Sequence, residues 1–551
     1  MQNFGSLRDL LEKSYRVHSS LAGVSINKIS DGKDPLWQID ATYAQDNVKL
    51  GKSEKILKTF VYNGKELLQT GALGQVDSAV VCNSVSESGQ RRVIVRKVEK
   101  DNFLELYDAG VMVLVKKLDF IGKFVANGIL TRKPVLWSAD ERKFLFVSER
   151  KSKDGDYFNE KEAEALKGLD NFKYKHTFGE ACDHYNLDIN VMDFASDAEP
   201  LKVIGIPANV IPRYPDFVDP KGESLVFAGN FVEANEYSMG ISMCNNRKQG
   251  IWLLNGYQTE SYKDEKKDDQ PAKPEPEPPK TDDDSPIPLN EKLQDAQSPK
   301  PEPRLATQIS TDPLAYVPLI SPDHKKLAYF YHSQILPLHT YEVGVKLYDL
   351  SSQETSIIIS CIETENADNL VIWTLPNMLG NATWVNGENF VFNSIKEGRY
   401  MPCMVDVTAK KMHHLQYNKV FATEATSFVK SIDENTWVLN LNGTGYASRL
   451  AVLENATTNI KKQWGHDSKP EDMTALTLED ISKKTTAHAE VCVTEAGFLE
   501  ERYYIDGNYG HLYGYENFHD ADGNLVPNNQ RPVLVNLHGG PHWIGTGVFS
   551  H

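Results

Sequence analysis

Ser321-Pro322-Asp323-His324-Lys325-Lys326 runs straight into Leu327-Ala328-Tyr329-Phe330, a polar turn followed at once by an unbroken apolar stretch. Serine and aspartate bond backbone amides a few residues on, and a short apolar run bounded by such a turn reads as a buried strand. The pairing recurs. Trp137-Ser138-Ala139-Asp140 leads through Glu141-Arg142-Lys143 into Phe144-Leu145-Phe146-Val147, and Asp219-Pro220-Lys221-Gly222-Glu223-Ser224 leads into Leu225-Val226-Phe227-Ala228. Trp384-Val385-Asn386-Gly387-Glu388-Asn389 leads into Phe390-Val391-Phe392. A second strand ending in a turn follows, as in Gly250-Ile251-Trp252-Leu253-Leu254-Asn255-Gly256 and Val345-Lys346-Leu347-Tyr348-Asp349-Leu350.

Units of this kind bury their faces by stacking on one another. From Phe60 to Asp480, with one proline-rich stretch set aside, the length suits seven or eight units of roughly 40–45 residues. The expected fold is therefore mainly β, a seven- or eight-bladed β-propeller over residues 60–480. Alternation alone leaves a β-sandwich or two small β domains open. Residues 1–59 are expected to form a lead-in with a helical segment at Leu7–Val17, and a second helical signal lies at Glu160–Leu169.

The 551 residues carry 59 basic and 76 acidic side chains, a net charge of −17 and a pI near 5.4. That balance repels phosphate backbones and anionic lipid surfaces, so neither nucleic acid nor membrane is expected as a partner. Cys82, Cys182, Cys244, Cys361, Cys403 and Cys492 lie far apart with no Cys-x-x-Cys pair, and read as reduced, mostly buried thiols. The start of the chain shows no continuous apolar leader, so a cytoplasmic address is expected.

Ten of the 27 prolines fall between Glu260 and Arg304, beside Asp282-Asp283-Asp284 and Pro274-Glu275-Pro276-Glu277-Pro278-Pro279. Too little apolar surface is available there to offset the entropy of ordering. Residues 260–304 are expected to be a disordered insertion inside the repeat domain, since similar strand-and-turn patterns lie on both sides.

Residues 481–551 change character. Val491-Cys492-Val493, Glu500–Tyr504 and Gly510–Tyr515 read as extended, hairpin-like runs. Pro532-Val533-Leu534-Val535-Asn536-Leu537 is a nearly continuous apolar strand of the kind buried on both faces of a parallel sheet. It opens into His538-Gly539-Gly540-Pro541-His542, where two glycines let the backbone turn sharply with an amide pointing into open space. Such an amide can hold an oxyanion, as the loop after an early strand does in α/β-hydrolases. Gly540 is the expected oxyanion-hole donor, and His538, Gly539 and Pro541 shape its loop.

Repeated β units followed by a strand ending in His-Gly-Gly-Pro-His resemble the prolyl oligopeptidase clan of serine peptidases, and within it the acylaminoacyl-peptidase (acylpeptide hydrolase) family. Leu225–Gly229 with Met239-Gly240-Ile241 and Cys244-Asn245-Asn246-Arg247, and Leu319–Asp323 with Leu347-Tyr348-Asp349, are similar to that family's propeller. The acidic insertion is a departure. The resemblance implies a propeller that restricts access, followed by the first part of an α/β-hydrolase domain, with the N-terminal helical segment packed on the latter. It implies release of an N-acylated residue from short peptides, a cytosolic address, a homo-oligomer, and no metal or other cofactor.

No Gly-x-Ser-x-Gly elbow occurs in these residues. In this fold the serine, aspartate and histidine follow the oxyanion strand in that order, so all three are expected beyond His551 and this chain alone is expected to be inactive. His542, Ser550 and His551 are not assigned to a triad. The competing reading is an inactive propeller that binds peptides or proteins. His413-His414, and His324 with His332, read as surface or packing histidines, and Trp252, Trp373 and Trp384 as core.

Overall fold

The computed structural model describes most of residues 20–461, apart from 152–176, 263–302 and shorter stretches between strands, together with 478–480, 498–505, 508–515, 524 and 527. The architecture is mainly β, as expected, and its sheets are antiparallel apart from one isolated pairing. Among the described residues most strands fall into seven units in chain order, each built on four strands, with Gly74–Gln75 added to the first and Ile121–Phe124 to the third.

Sheet one holds Ser20–Ser30, Leu36–Asn47, Lys52–Tyr62 and Leu67–Thr70. Sheet two holds Val80–Val85, Arg91–Val98, Asp101–Asp108 and Val111–Lys117. Sheet three is built on Val135–Trp137, Lys143–Arg150, Leu187–Asp193 and Leu201–Ile204. Sheet four holds Val210–Phe217, Leu225–Phe231, Gln249–Leu254 and Thr307–Gln308, and sheet five Leu314–Ile320, Lys326–His332, Gly344–Asp349 and Thr355–Ile359. The parallel pairing Gln249↔Leu314 joins these two. Sheet six holds Thr383–Trp384, Asn389–Lys396, Arg399–Asp406 and Lys411–His414; sheet seven holds Glu424–Ser431, Trp437–Gly443, Tyr446–Leu453 and Leu478–Asp480.

The unbroken apolar runs arise because both faces of a middle strand are covered. Phe144 and Phe146 pack toward sheet two with Val93, Val95, Leu104 and Leu106, while Leu145 packs toward sheet four with Phe217, Leu225 and Phe227. One large cluster joins sheets four, five and six through Val226, Phe330 and Phe392, and another joins six to seven through Met404 and Trp437. The last sheet then packs on the first: Val438, Leu450 and Val452 meet Ile39, Tyr43 and Phe60. The Tyr62 hydroxyl donates to the Glu454 carboxylate at the same junction. The seven sheets thus form a ring closed by apolar packing of its two ends.

Among the described residues the repeat region therefore begins at Ser20, not at Phe60, and Ser20–Ser30, Leu36–Asn47 and Lys52–Tyr62 are strands of the first sheet rather than a lead-in. They escape an apolar-run reading because sheet one is buried on one face only. Ile39, Ala41 and Tyr43 alternate with Gln38, Asp40 and Thr42, and Gln38 and Asp40 face sheet two. The helical signals at Leu7–Val17 and Glu160–Leu169 lie outside the described residues.

Gln258–Ser261 leaves sheet four and pairs with Leu201–Ile204 on the outer edge of sheet three. The chain returns at Arg304, whose carbonyl oxygen lies where a Cβ on Gly205 (φ +90°) would sit, and Thr307–Gln308 then completes sheet four. Both ends of the expected 260–304 insertion are accordingly part of the ring. Farther on, Phe498–Ile505 and Asn508–Tyr515 form an antiparallel hairpin, with Phe498 opposite Tyr515 and Ile505 opposite Asn508.

Candidate functional site

Two of the turns before the apolar strands, at Ser138 and Ser321, share one geometry with a third at Ser86. Ser86, Ser138 and Ser321 each receive on Oγ the amide of the residue five positions on, Arg91, Lys143 and Lys326, at 3.1, 3.0 and 2.9 Å. The cation at that fifth position then reaches a carbonyl in the next sheet's turn: Arg91 to Glu141, Lys143 to Gly222 at 3.4 Å, and Lys326 to Gly387 at 3.1 Å. His324 contributes a related link, its Nδ1 lying 2.9 Å from the Val218 carbonyl. These bonds tie neighbouring turns together at one end of the ring.

Toward the centre, the first strands of sheets four and five each carry a non-glycine residue at positive φ followed by proline, Tyr214 (φ 49°) before Pro215 and Val317 (φ 51°) before Pro318. Each marks a register shift, a place in a strand where the ladder is interrupted and proline is tolerated. The shift brings Asp216 to the guanidinium of Arg132, which also donates at 2.9 Å to the carbonyl of Ala382, just before the first strand of sheet six. Arg132, in the loop ahead of Val135–Trp137, thereby ties sheet four to the lead-in of sheet six.

Arg213, two residues before Pro215, is buried. Its guanidinium donates to Asn230 Oδ1 at 2.9 Å, Gln249 Oε1 at 3.3 Å, the Tyr214 hydroxyl at 3.1 Å and the Ile129 carbonyl. None of these partners is a carboxylate. Burial lowers the Arg213 pKa and raises that of Tyr214. Lys430, on the first strand of sheet seven, lies with Nζ 3.5 Å from the Ile26 carbonyl, and enclosure brings its pKa down to about 8. Burial lowers the Lys133 pKa as well, with repulsion from Arg132 second.

Between sheets one and two lies a crevice of about 520 Å³, with Ser25, Asn27 and Asp40 on one wall and Asn83, Arg92 and Tyr107 on the other. It is polar on both sides. Asp40 accepts from Thr59 Oγ1 at 2.6 Å and from Gln38 Nε2 at 2.8 Å, and Arg92 Nε donates to Asn83 Oδ1 at 2.7 Å.

His538, Gly539, Gly540 and Pro541 lie outside the described residues, as do His542, Ser550 and His551. The structure gives the remaining histidines other settings. His332 is buried, with Nε2 3.2 Å from the Tyr316 hydroxyl; His324 holds a turn; His413 and His414 sit opposite Met404 and Cys403 in sheet six. Among the described residues no group of three His, Cys, Asp or Glu side chains is placed to hold a metal ion. Trp252 and Trp384 are core, the latter donating to the Leu319 carbonyl at 3.0 Å; Trp373 lies outside the described residues. Cys82, Cys182 and Cys403 are buried cysteines outside any disulfide, and Cys361 is a half-buried one. No helix of the described residues is long and apolar enough to cross a membrane.

Sequence reasoning did not single out Arg132, Lys133, Arg213, Asp216 or Lys430. The recurrence of Tyr214-Pro215 and Val317-Pro318 at one position of successive units was the available signal for the strand shift that places Asp216.

No protein-family model matches the chain. No curated protein matches it. Among solved structures it is similar to uncomplexed acylaminoacyl peptidase from Pyrococcus horikoshii, at 10% identity and a TM-score of 0.48, over 92% of this chain and 58% of that one. The orthorhombic form of the same organism's enzyme gives 12% identity and a TM-score of 0.47 over the same shares. A puromycin-hydrolyzing peptidase from Mycobacterium tuberculosis gives 10% identity and a TM-score of 0.44, over 92% of this chain and 60% of that one. The chain spans less than two thirds of the length of these structures.

Proposed function

We propose that the seven sheets are the blades of a β-propeller that guards a serine peptidase of the acylaminoacyl type. The peptidase would release an N-acylated, typically N-acetylated, residue from short peptides, in the cytoplasm and without metal or other cofactor. The observation that carries the reading is the sequence His538-Gly539-Gly540-Pro541-His542 directly after the apolar run Val533-Leu534-Val535-Asn536-Leu537. A ring whose neighbouring turns are bonded to one another suits a gate that admits small substrates.

In this reading the Gly540 amide donates to the oxyanion of the tetrahedral intermediate. The glycine pair would leave the amide uncovered, and His538, Gly539 and Pro541 would shape the loop around it. Such a donor is worth about 2.7–4 kcal/mol of transition-state stabilisation, because its dipole is oriented before charge develops. The nucleophile, base and acid belong to a serine elbow, an aspartate and a histidine that follow this loop in the hydrolase fold.

The test is hydrolysis of acetyl-alanine p-nitroanilide by the protein isolated from its native source, together with labelling by a fluorophosphonate. Hydrolysis abolished by that reagent supports the reading, and so does a Gly540→Pro variant with kcat reduced about 10²–10³-fold at unchanged KM. Absence of both hydrolysis and labelling overturns it in favour of an inactive propeller that binds peptides or proteins.

A further inference from the structure

We propose that the crevice between sheets one and two binds a small zwitterion, an unblocked amino acid or short peptide whose ammonium meets Asp40 and whose carboxylate meets Arg92. Both side chains come from the second strand of their sheets, Leu36–Asn47 and Arg91–Val98, and both line the same cavity of about 520 Å³. That volume falls in the range of small-molecule sites, roughly 300–1,000 Å³. The lining is polar where such sites are mostly apolar, so it suits a ligand that carries charge.

The two charges make no ion pair with each other, nor with any other group among the described residues. Asp40 accepts from two neutral donors, Thr59 on one carboxylate oxygen and Gln38 on the other, at 2.6 and 2.8 Å. Arg92 gives only its Nε, to the Asn83 amide oxygen at 2.7 Å, and leaves both terminal nitrogens unengaged among the described residues. Neutral partners fix the orientation of each group without cancelling its charge. Strand pairing adds uncharged groups beside the carboxylate: Ser25 lies opposite Asp40 and Asn27 opposite Gln38, with neither side chain hydrogen-bonded among the described residues. Lys28 is the remaining charged residue of the lining, but alternation turns its side chain to the other face of sheet one, where its ammonium stands 5.8 Å from the centre of the Trp37 ring.

A crevice that holds opposite charges apart on opposite walls is complementary to a molecule with those two charges at its ends. Binding it forms charge-assisted bonds on both walls at once, each stronger than the neutral bonds already present. It also links two sheets that meet here through polar surfaces, so the ligand should stiffen this seam. The inference goes beyond the proposed function and does not rest on it. An N-acylated substrate lacks the ammonium, whereas the shortened peptide left by removal of the acylated residue carries both charges.

Calorimetry on the 551-residue chain tests this without requiring catalysis. Ala-Ala-Ala should bind and raise the melting temperature, whereas acetyl-Ala-Ala-Ala, which lacks the ammonium, and Ala-Ala-Ala amide, which lacks the carboxylate, should each bind about tenfold more weakly. The variants should cross over: Asp40→Asn removes the preference over the acetylated peptide and keeps that over the amide, while Arg92→Gln does the reverse. Arg92 is exposed, so its variant should keep the parent fold even where Asp40→Asn, which alters the bonds to Thr59 and Gln38, costs stability. Undetectable binding of Ala-Ala-Ala at millimolar concentration, equal affinity for the three peptides, or discrimination unchanged in Arg92→Gln overturns the proposal. Free alanine binding as tightly as Ala-Ala-Ala keeps the site and makes an amino acid its ligand; alanine binding about tenfold more weakly assigns it to peptides. Selective binding by a protein that fails the hydrolysis and labelling test leaves the crevice site standing and removes the peptidase reading.

Discussion

The phenol of Tyr62 donates to the carboxylate of Glu454, a partner 392 residues farther along the chain. Tyr62 is buried in the apolar cluster shared by the first and last sheets, so the bond sits where the ring closes on itself. Hydrogen bonds to charged groups contribute roughly 1.5–3 kcal/mol, and this one should stabilise closure by an amount in that range. Tyr62→Phe and Glu454→Gln should each lower urea stability, and the double variant should cost less than the two single losses combined. Strict additivity would show that the two side chains do not act as a pair.

The ends of the insertion are fixed by Gln258–Ser261 on sheet three and by Arg304 against Gly205. Replacing residues 263–302 with a short glycine-serine loop should leave the melting temperature within a few degrees, because closure entropy changes only about 0.6 kcal/mol per doubling of length. Extending the cut to 258–304 removes the edge strand and the Arg304 contact, and should lower it clearly. Equal behaviour of the two deletions would mean that the edge strand adds nothing to the ring.

Lys430 should make stability rise with pH on the alkaline side. Its ammonium titrates at about 8 in the folded chain, against an ordinary value of 10.5, since enclosure disfavours the charge and Lys133 repels it while Glu87 only partly compensates. Between those values the unfolded chain holds a proton that the folded chain has released, so unfolding takes up a proton and becomes harder as pH increases. The full effect is on the order of 3 kcal/mol. Denaturation midpoints from pH 7.5 to 10.5 should climb in the parent relative to Lys430→Met, which should be the more stable of the two at pH 7.5. Parallel curves would place Lys430 in water.

The outer strand of sheet two, Val111–Lys117, leaves Val111, Met112, Val113 and Val115 exposed, 66% in the case of Val111. An apolar edge strand is a template for pairing with another chain. Val113→Lys should raise the temperature at which light scattering begins without lowering the unfolding midpoint. Unchanged scattering would locate the aggregating surface elsewhere.

How much could be read beforehand followed from which faces are buried. Phe144–Val147, Leu225–Ala228 and Leu327–Phe330 announced themselves because neighbours cover both sides, and the serine and aspartate turns before them marked the repeat. Sheet one did not, since Ile39, Ala41 and Tyr43 alternate with polar residues and offer no unbroken apolar run. The estimate of seven or eight units began at Phe60 and so started inside the first sheet. The Arg132 link was illegible for a different reason. Arg132 and Asp216 belong to no local pattern, and only the folded arrangement of the sheets brings that guanidinium to Asp216 and to the Ala382 carbonyl.

Six of the seven junctions between sheets are apolar, and the junction of sheets one and two is a polar crevice. Mechanically this is a split washer: a hoop whose circumference is continuous in cohesion everywhere but at one gap. Tension on such a hoop does not distribute evenly but concentrates at the gap, where separating the walls exposes little oily surface and water can solvate both sides. The apolar weld between the chain's two ends therefore holds sheet one to sheet seven as a unit, and any widening of the hoop would swing that pair away from sheet two.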